Sequence, residues 1–186
     1  MALDLTGVDP SDGEPWDFTK KDKRLKAMEL VKKHKPGIIL LGPPCSVFSV
    51  AMFWNYVKMS EDDARRKIEE GVGHLHFALL LCAIQYREGR HFALEHPVGA
   101  QSWKLDSVKL MAKLPGVQVV NFDFCMLGMK ATDRDGQGRV KKRTTIMTTC
   151  DELARALREA QCDGHHRHVR LVDGGVRASQ CQVYPE

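Results

Sequence analysis

The chain has 186 residues, is 43% hydrophobic and 28% charged, and carries a formal net charge of +4. That is enough apolar material for one core of ordinary size, and it excludes collagen-like, low-complexity and wholly disordered classes. No window approaches the roughly 18 consecutive apolar residues of a membrane span, and MALDLTGVDP lacks the basic and apolar regions of a signal peptide. An intracellular protein without a membrane partner is expected, nuclear or cytoplasmic, and its six cysteines point to thiol or metal chemistry rather than disulfides.

In chain order, ALDL (2–5) is a short apolar run closed by the turn residues GVDPSDG. Residues 20–34 form a basic helix with Leu25, Met28 and Val31 on one side. GIILLG (37–42) is a continuous apolar strand, stopped by Pro43 and Pro44. From 61 to 87, Ile68, Val72, Leu75, Leu79, Cys82 and Tyr86 draw a stripe along one long helix, with Cys82 a core residue. HFALE (91–95) is the next strand, 103–113 a helix, VQVVN (117–121) a strand, RTTIMTT (143–149) a β-branched strand and DELARALREA (151–160) a short amphipathic helix. KATDRDGQGRVKK (130–142) has the composition of a linker.

Buried strands alternating with helices predict an α/β fold. A Rossmann-like, mostly parallel sheet would carry helices on both faces, with the core over residues 1–149 and a C-terminal extension over 150–186. In such sheets ligands gather at the carboxyl ends of the strands. LLGPPCSVFS places Cys45 at one such end behind two stiff prolines, and FALEHP places Glu95 at the next. Neighbouring strands joined by one crossover helix would bring a thiol and a carboxyl group to a shared crevice. Taken singly, Cys45 reads equally well as an inert buried thiol and Glu95 as a capping or ion-pairing acid.

Together these motifs resemble the catalytic core of the cytosine-C5 DNA methyltransferase family. GPPCSVFS (42–49) is similar to its nucleophile loop Gly-Pro-Pro-Cys-Gln-x-Phe-Ser, with Ser46 in place of Gln, and LEHP (94–97) to its Glu-Asn-Val or Glu-Asn-Pro motif, with His96 in place of Asn. The resemblance implies that Cys45 adds to C6 of a flipped-out cytosine while Glu95 serves N3, with S-adenosylmethionine as methyl donor. It further implies cofactor contacts from Pro43 and Pro44, from Asp17 in PWDF and from Asp4 in ALDL, and a base- or phosphate-orienting role for Arg143 in KKRTTIMTT. The likeness spans roughly residues 2–149. It departs from the family in lacking the Phe-x-Gly-x-Gly loop before residue 42 and in leaving no room after Arg143 for a target-recognition domain. The fold would thus be incomplete, and a second chain or a homo-oligomer would complete it.

CDGHHRH (162–168) packs Cys162, His165, His166 and His168 into seven residues, a ligand density that points to zinc. Cys162, His166 and His168 supply three tetrahedral ligands, and Cys125 in FDFCMLG is the choice for the fourth, with Cys150 and Cys181 in reserve. Four protein ligands leave no open position, so the metal would be structural.

Nucleic acid, DNA before RNA, is the expected partner. Two further readings compete with methyl transfer. One is an enzyme that modifies pyrimidines without S-adenosylmethionine. The other is a non-catalytic nucleic-acid-binding remnant whose basic clusters at 20–35 and 139–143, including Lys32, Lys33, Lys141 and Lys142, contact phosphates.

Overall fold

A computed structural model describes residues 3, 5, 7–49, 52 and 55–169. Four strands form the main sheet: β1 (Ile38–Leu41), β2 (His91–Pro97), β3 (Gln118–Asp123) and β6 (Arg143–Thr148), in the order β1-β2-β6-β3. β1 and β2 pair in parallel, whereas β6 runs antiparallel to both β2 and β3. The sheet is therefore mixed, not mostly parallel: the first three strands share one direction and β6 is inserted between two of them in reverse. The residues 130–142, read as a linker, instead form a hairpin of β4 (Lys130–Asp133) and β5 (Gly136–Val140), and β7 (His168–Val169) joins β5 to complete a second, three-stranded sheet. The turn between β4 and β5 is opened by Asp135, whose N–H bonds the Asp133 side chain, and by Gly136 at φ 100°.

Helices do cover both faces. Ala93 and Leu94, adjacent in β2, lie in different core clusters. Ala93 joins Val120, Phe122 and Ile146 beneath α4 (Asp151–Glu159), and Leu94 joins Met147, Leu75 and Cys82 beneath α2 (Glu61–Arg87). α1 (Lys21–His34) packs beside α2 on the β1 side, and α3 (Asp106–Ala112) follows a 3-10 turn at Gln101–Lys104, so the helix expected at 103–113 begins later and ends earlier. α2 has its signals in order: Ser60 accepts from Asp63 N–H, three acids occupy the first turn and Arg87 the last. Of the anticipated stripe Leu75, Leu79 and Cys82 are buried and Val72 and Tyr86 half-buried, whereas Ile68, near the helix start, is exposed; α2 also buries Phe77 and Leu81 against α1 and Trp16. The buried Gln85 amide donates to the carbonyls of Pro36 (2.9 Å) and His91 (2.8 Å), tying α2 to the entrances of β1 and β2.

In α1 the buried face is Lys23, Ala27 and Val31, while Leu25 is exposed. Lys23 is 3% exposed because Asp9 and Asp12 reach its ammonium at 3.2 and 2.8 Å, and Trp16 lies beneath it. Burial pushes the Asp9 carboxyl up, but hydrogen bonds from Lys26, Ser11 and Lys23 overcome it and hold the group far below the usual carboxylate range. Lys23 and Lys26 are thus committed to this network rather than to an external anion. The strand expected at 2–5 falls mostly outside the described residues, as does Asp4.

Candidate active site and metal centre

One rim of the main sheet brings together the thiol, the carboxyl group and the lysine of the candidate site. β1 ends there in Pro43, Pro44 and Cys45, β2 in Glu95, and β3 in Asp123 and Cys125; β6, being reversed, starts there with Lys142 just before it. The register fixes this, since Glu95 lies opposite Ile146 and Arg143 opposite Asp123. A parallel β6 would have sent Lys142 and Arg143 to the far rim.

Cys45 is half-buried at the start of a 3-10 turn, Ser46–Phe48, whose Phe48 enters the core. Its partner side chains are those the rim brings together. Burial pushes the Cys45 thiol up, the Glu95 carboxylate pushes it the same way, and the Lys142 ammonium pulls it down. Glu95, 7% exposed, forms an ion pair with Lys142 at 3.7 Å, and the same ammonium sits 5.0 Å above the Phe124 ring. Lys142, rather than Arg143, is thus the cation beside Glu95 and Cys45. Arg143 itself is exposed one residue further along, where alternation turns successive side chains to opposite faces.

The loop carrying Cys45 is fixed from three directions. His96 reaches the Pro43 carbonyl through Nε2 (3.0 Å) and the Ser102 hydroxyl through Nδ1 (2.6 Å). A carbonyl can only accept, so Nε2 carries the proton and Nδ1 accepts from Ser102. The ring packs between Phe48 and Trp103, and burial drives its pKa down to about 4. Tyr56 donates to the Val47 carbonyl at 3.0 Å. Val47 presses into α2 at Gly71, where an added Cβ would stand 2.2 Å from Val47 Cγ2. His96, Gly71 and Lys142 were not anticipated in these roles; the departure of LEHP from the family pattern was the one sequence signal for the first.

Asp17 lines an open cleft of about 530 Å³ together with Phe18, Thr19, Arg24, Glu70 and His74. Hydrogen bonds from the Thr19 hydroxyl and N–H keep its carboxyl ionised below the usual range. The cleft and the Cys45 loop flank the same stretch of α2, at Gly73–His74 and at Gly71 respectively.

The second cluster lies along the rim from Glu95. One ligand atom from each of Cys125, Cys162, His166 and His168 lies within 4.8 Å of the other three. Cys162 Sγ is 3.4 Å from His168 Nε2 and 3.8 Å from His166 Nε2. Tetrahedral bonds of about 2.0–2.3 Å require ligand separations of roughly 3.3–3.8 Å, so the set fits such a metal with small adjustments. Asp163 lies 3.2 Å from His166 Nδ1, orienting the ring so that Nε2 faces the ligand group. Asp123 accepts the Cys162 N–H at 3.0 Å through Oδ2, while its Oδ1 is buried with no hydrogen bond, an anionic atom that a nearby cation would balance. These residues can hold a metal ion, and the four are those chosen from the sequence. Cys150 instead caps α4 beside Glu152, and Cys181 lies outside the described residues.

No protein-family model, curated protein or solved structure matches the chain. No helix among the described residues is long and apolar enough to cross a membrane.

Proposed function

We propose that the chain is a cytosine-C5 methyltransferase-like enzyme acting on nucleic acid, DNA before RNA. The observation that carries this reading is the meeting of Cys45, Glu95 and Lys142 at one rim, with the Glu95–Lys142 pair at 3.7 Å and both charges acting on the thiol. In this reading the Cys45 sulfur, as thiolate, forms a bond to C6 of the pyrimidine as the C5–C6 π bond opens, Glu95 shares a proton with N3 so that charge does not accumulate in the ring, and loss of the C5 proton to a base after substitution re-forms the π bond and expels the thiolate. Lys142 favours the thiolate and holds the carboxyl group in place. Burial and the Glu95 carboxylate push the resting thiol up, so a proton held between Glu95 and N3 removes one of the two influences that oppose the thiolate.

S-adenosylmethionine supplies, when bound, an electrophilic methyl group for C5. An acid and an aromatic side chain in one cleft suit an adenine, and Asp17 and Phe18 provide them beside the helix that supports the Cys45 loop; Pro43 and Pro44 border that loop, and Asp4 lies outside the described residues. The second cluster is read as a structural zinc site, since four protein ligands leave no position for water or substrate. The reading is tested by tritiated methyl transfer from S-adenosylmethionine to cytosine-containing DNA. Incorporation that disappears in Cys45→Ala supports it. DNA binding without incorporation, unchanged in Cys45→Ser, would replace it with a non-catalytic role, and cofactor-free release of a C5 tritium would replace it with proton exchange.

A further inference from the structure

The small sheet has two unlike faces. Ala131, Val140 and Val169 point inward and are buried in the core beneath α4. Strand alternation therefore turns Lys130, Thr132, Gln137 and Arg139 outward, and all four are exposed. Lys130 and Arg139 are direct cross-strand partners, and Arg139 in turn lies opposite His168. Lys141, two residues beyond Arg139, is exposed as well, and the chain then passes at once to Lys142 beside Glu95.

Like charges directly opposite on neighbouring strands repel, and a protein that needed only a soluble surface would alternate their sign. The ion pairs in this region are Arg134–Asp135, Arg167–Asp133, Arg167–Asp135, His166–Asp163 and Lys142–Glu95; among the described residues Lys130, Arg139 and Lys141 form none. Asp163 is near enough to Arg139 to feel its charge but makes no ion pair with it. By contrast, two of the lysines of α1 are neutralised by Asp9 and Asp12. The outer face of the small sheet is therefore a surface whose positive charge is not offset by ion pairs among the described residues, and it leads directly to the candidate active site.

We infer that the outward face of the β4–β5–β7 sheet, through Lys130, Arg139 and Lys141, binds the phosphate backbone of a DNA strand and delivers its bases to the Cys45–Glu95 rim. This rests on the reading of the chain as a nucleic-acid-modifying enzyme and gives that reading a strand-holding surface. Contacts of this kind position the strand without reading sequence. A histidine of the metal centre stands in the same row, so the ion fixes the third strand of the platform.

The test is fluorescence anisotropy of a labelled single-stranded DNA of about 20 nucleotides with the full, metal-loaded chain across a salt series. The triple variant Lys130→Gln, Arg139→Gln, Lys141→Gln should lose about tenfold or more in affinity and reduce the slope of log K against log salt by about 2, from roughly 0.7 per lost phosphate contact. The exchange Lys130→Arg, Arg139→Lys should bind as the wild type does, as should Lys32→Gln, Lys33→Gln on α1. Unchanged affinity and slope in the triple variant would overturn the inference, as would an equal loss from the α1 variant or binding of anionic lipid vesicles in place of DNA. Patch-dependent binding without methyl transfer would support the surface and defeat only the catalytic reading.

Discussion

His96 Nε2 donates to the Pro43 carbonyl across 3.0 Å, so that a strand-end imidazole grips the loop two residues before Cys45. The ring is 1% exposed and both of its nitrogens are satisfied, one by that carbonyl and one by Ser102. The histidine thus has a packing role: its ring spans from β2 to the loop and fills the space between Phe48 and Trp103.

His96→Ala should destabilise the chain by about 3 kcal/mol, from a cavity and from the Ser102 hydroxyl left unpaired, and should lower methyl transfer by about tenfold or more. His96→Asn keeps a donor toward Pro43 and should recover part of both. Thermal unfolding and initial rates measured on the same preparations check this; equal behaviour of the two variants would show that the ring acts by volume alone.

Acid should act through the same group. Its folded pKa is about 4 against an ordinary value of 6.5, so the unfolded chain binds the extra proton between those values and stability rises with pH across that window. Lowering the pH from 6.5 to 4 should therefore remove up to about 3 kcal/mol, with no contribution from His96 above 6.5. Urea unfolding at a series of pH values, compared with His96→Asn, isolates this term; the difference between the two curves should shrink as the pH falls through the window.

The Glu95–Lys142 pair makes opposite predictions for the Cys45 thiol. Lys142→Met removes the charge that pulls the thiol down and should slow alkylation by iodoacetamide near neutral pH several-fold; Glu95→Gln removes a charge that pushes it up and should speed alkylation by a similar factor. Cys45 modification followed by mass spectrometry reads both. Shifts of the same sign would mean that the charges do not act on the sulfur as described.

Gly71→Ala tests how closely the loop is seated. Alanine gains about 1 kcal/mol of helix propensity, but its Cβ would stand 2.2 Å from Val47 Cγ2, a stiff β-branched atom that must move and take the Cys45 loop with it. Net destabilisation of about 1–2 kcal/mol is expected from overpacking, with a fall in Cys45-dependent activity. Val47→Ala in the same chain should relieve both effects.

Zinc content of protein purified without a histidine tag should be close to one ion per chain and fall below a few tenths in Cys125→Ser or Cys162→Ser, since three ligands hold the ion much less tightly. Chelation should lower the melting temperature by about 10 °C, because an ion held by these residues would join β7 and the 162–168 loop to the 3-10 turn at Phe124–Leu127. Full stability after metal removal would dismiss the structural role.

The local signals were legible in one dimension. Apolar runs marked β1, β2, β3 and β6, the stripe from Val72 to Tyr86 marked α2, and the ligand density around Cys162 chose the same four metal-binding candidates that the fold assembles. These depend on spacing and residue type, which a chain carries without folding. Strand direction does not: the run RTTIMTT is equally apolar either way round, and only its pairing with β2 and β3 decides that it enters from the Glu95 rim. That reversal brings Lys142 to Glu95 and leaves Arg143 exposed. Tertiary structure also turned a polar, glycine-rich stretch into the β4–β5 hairpin, since β7, far along the chain, completes its pairing. The amino acids specified which groups were available for chemistry; the register of the strands, set by burial on two faces at once, decided which of them meet.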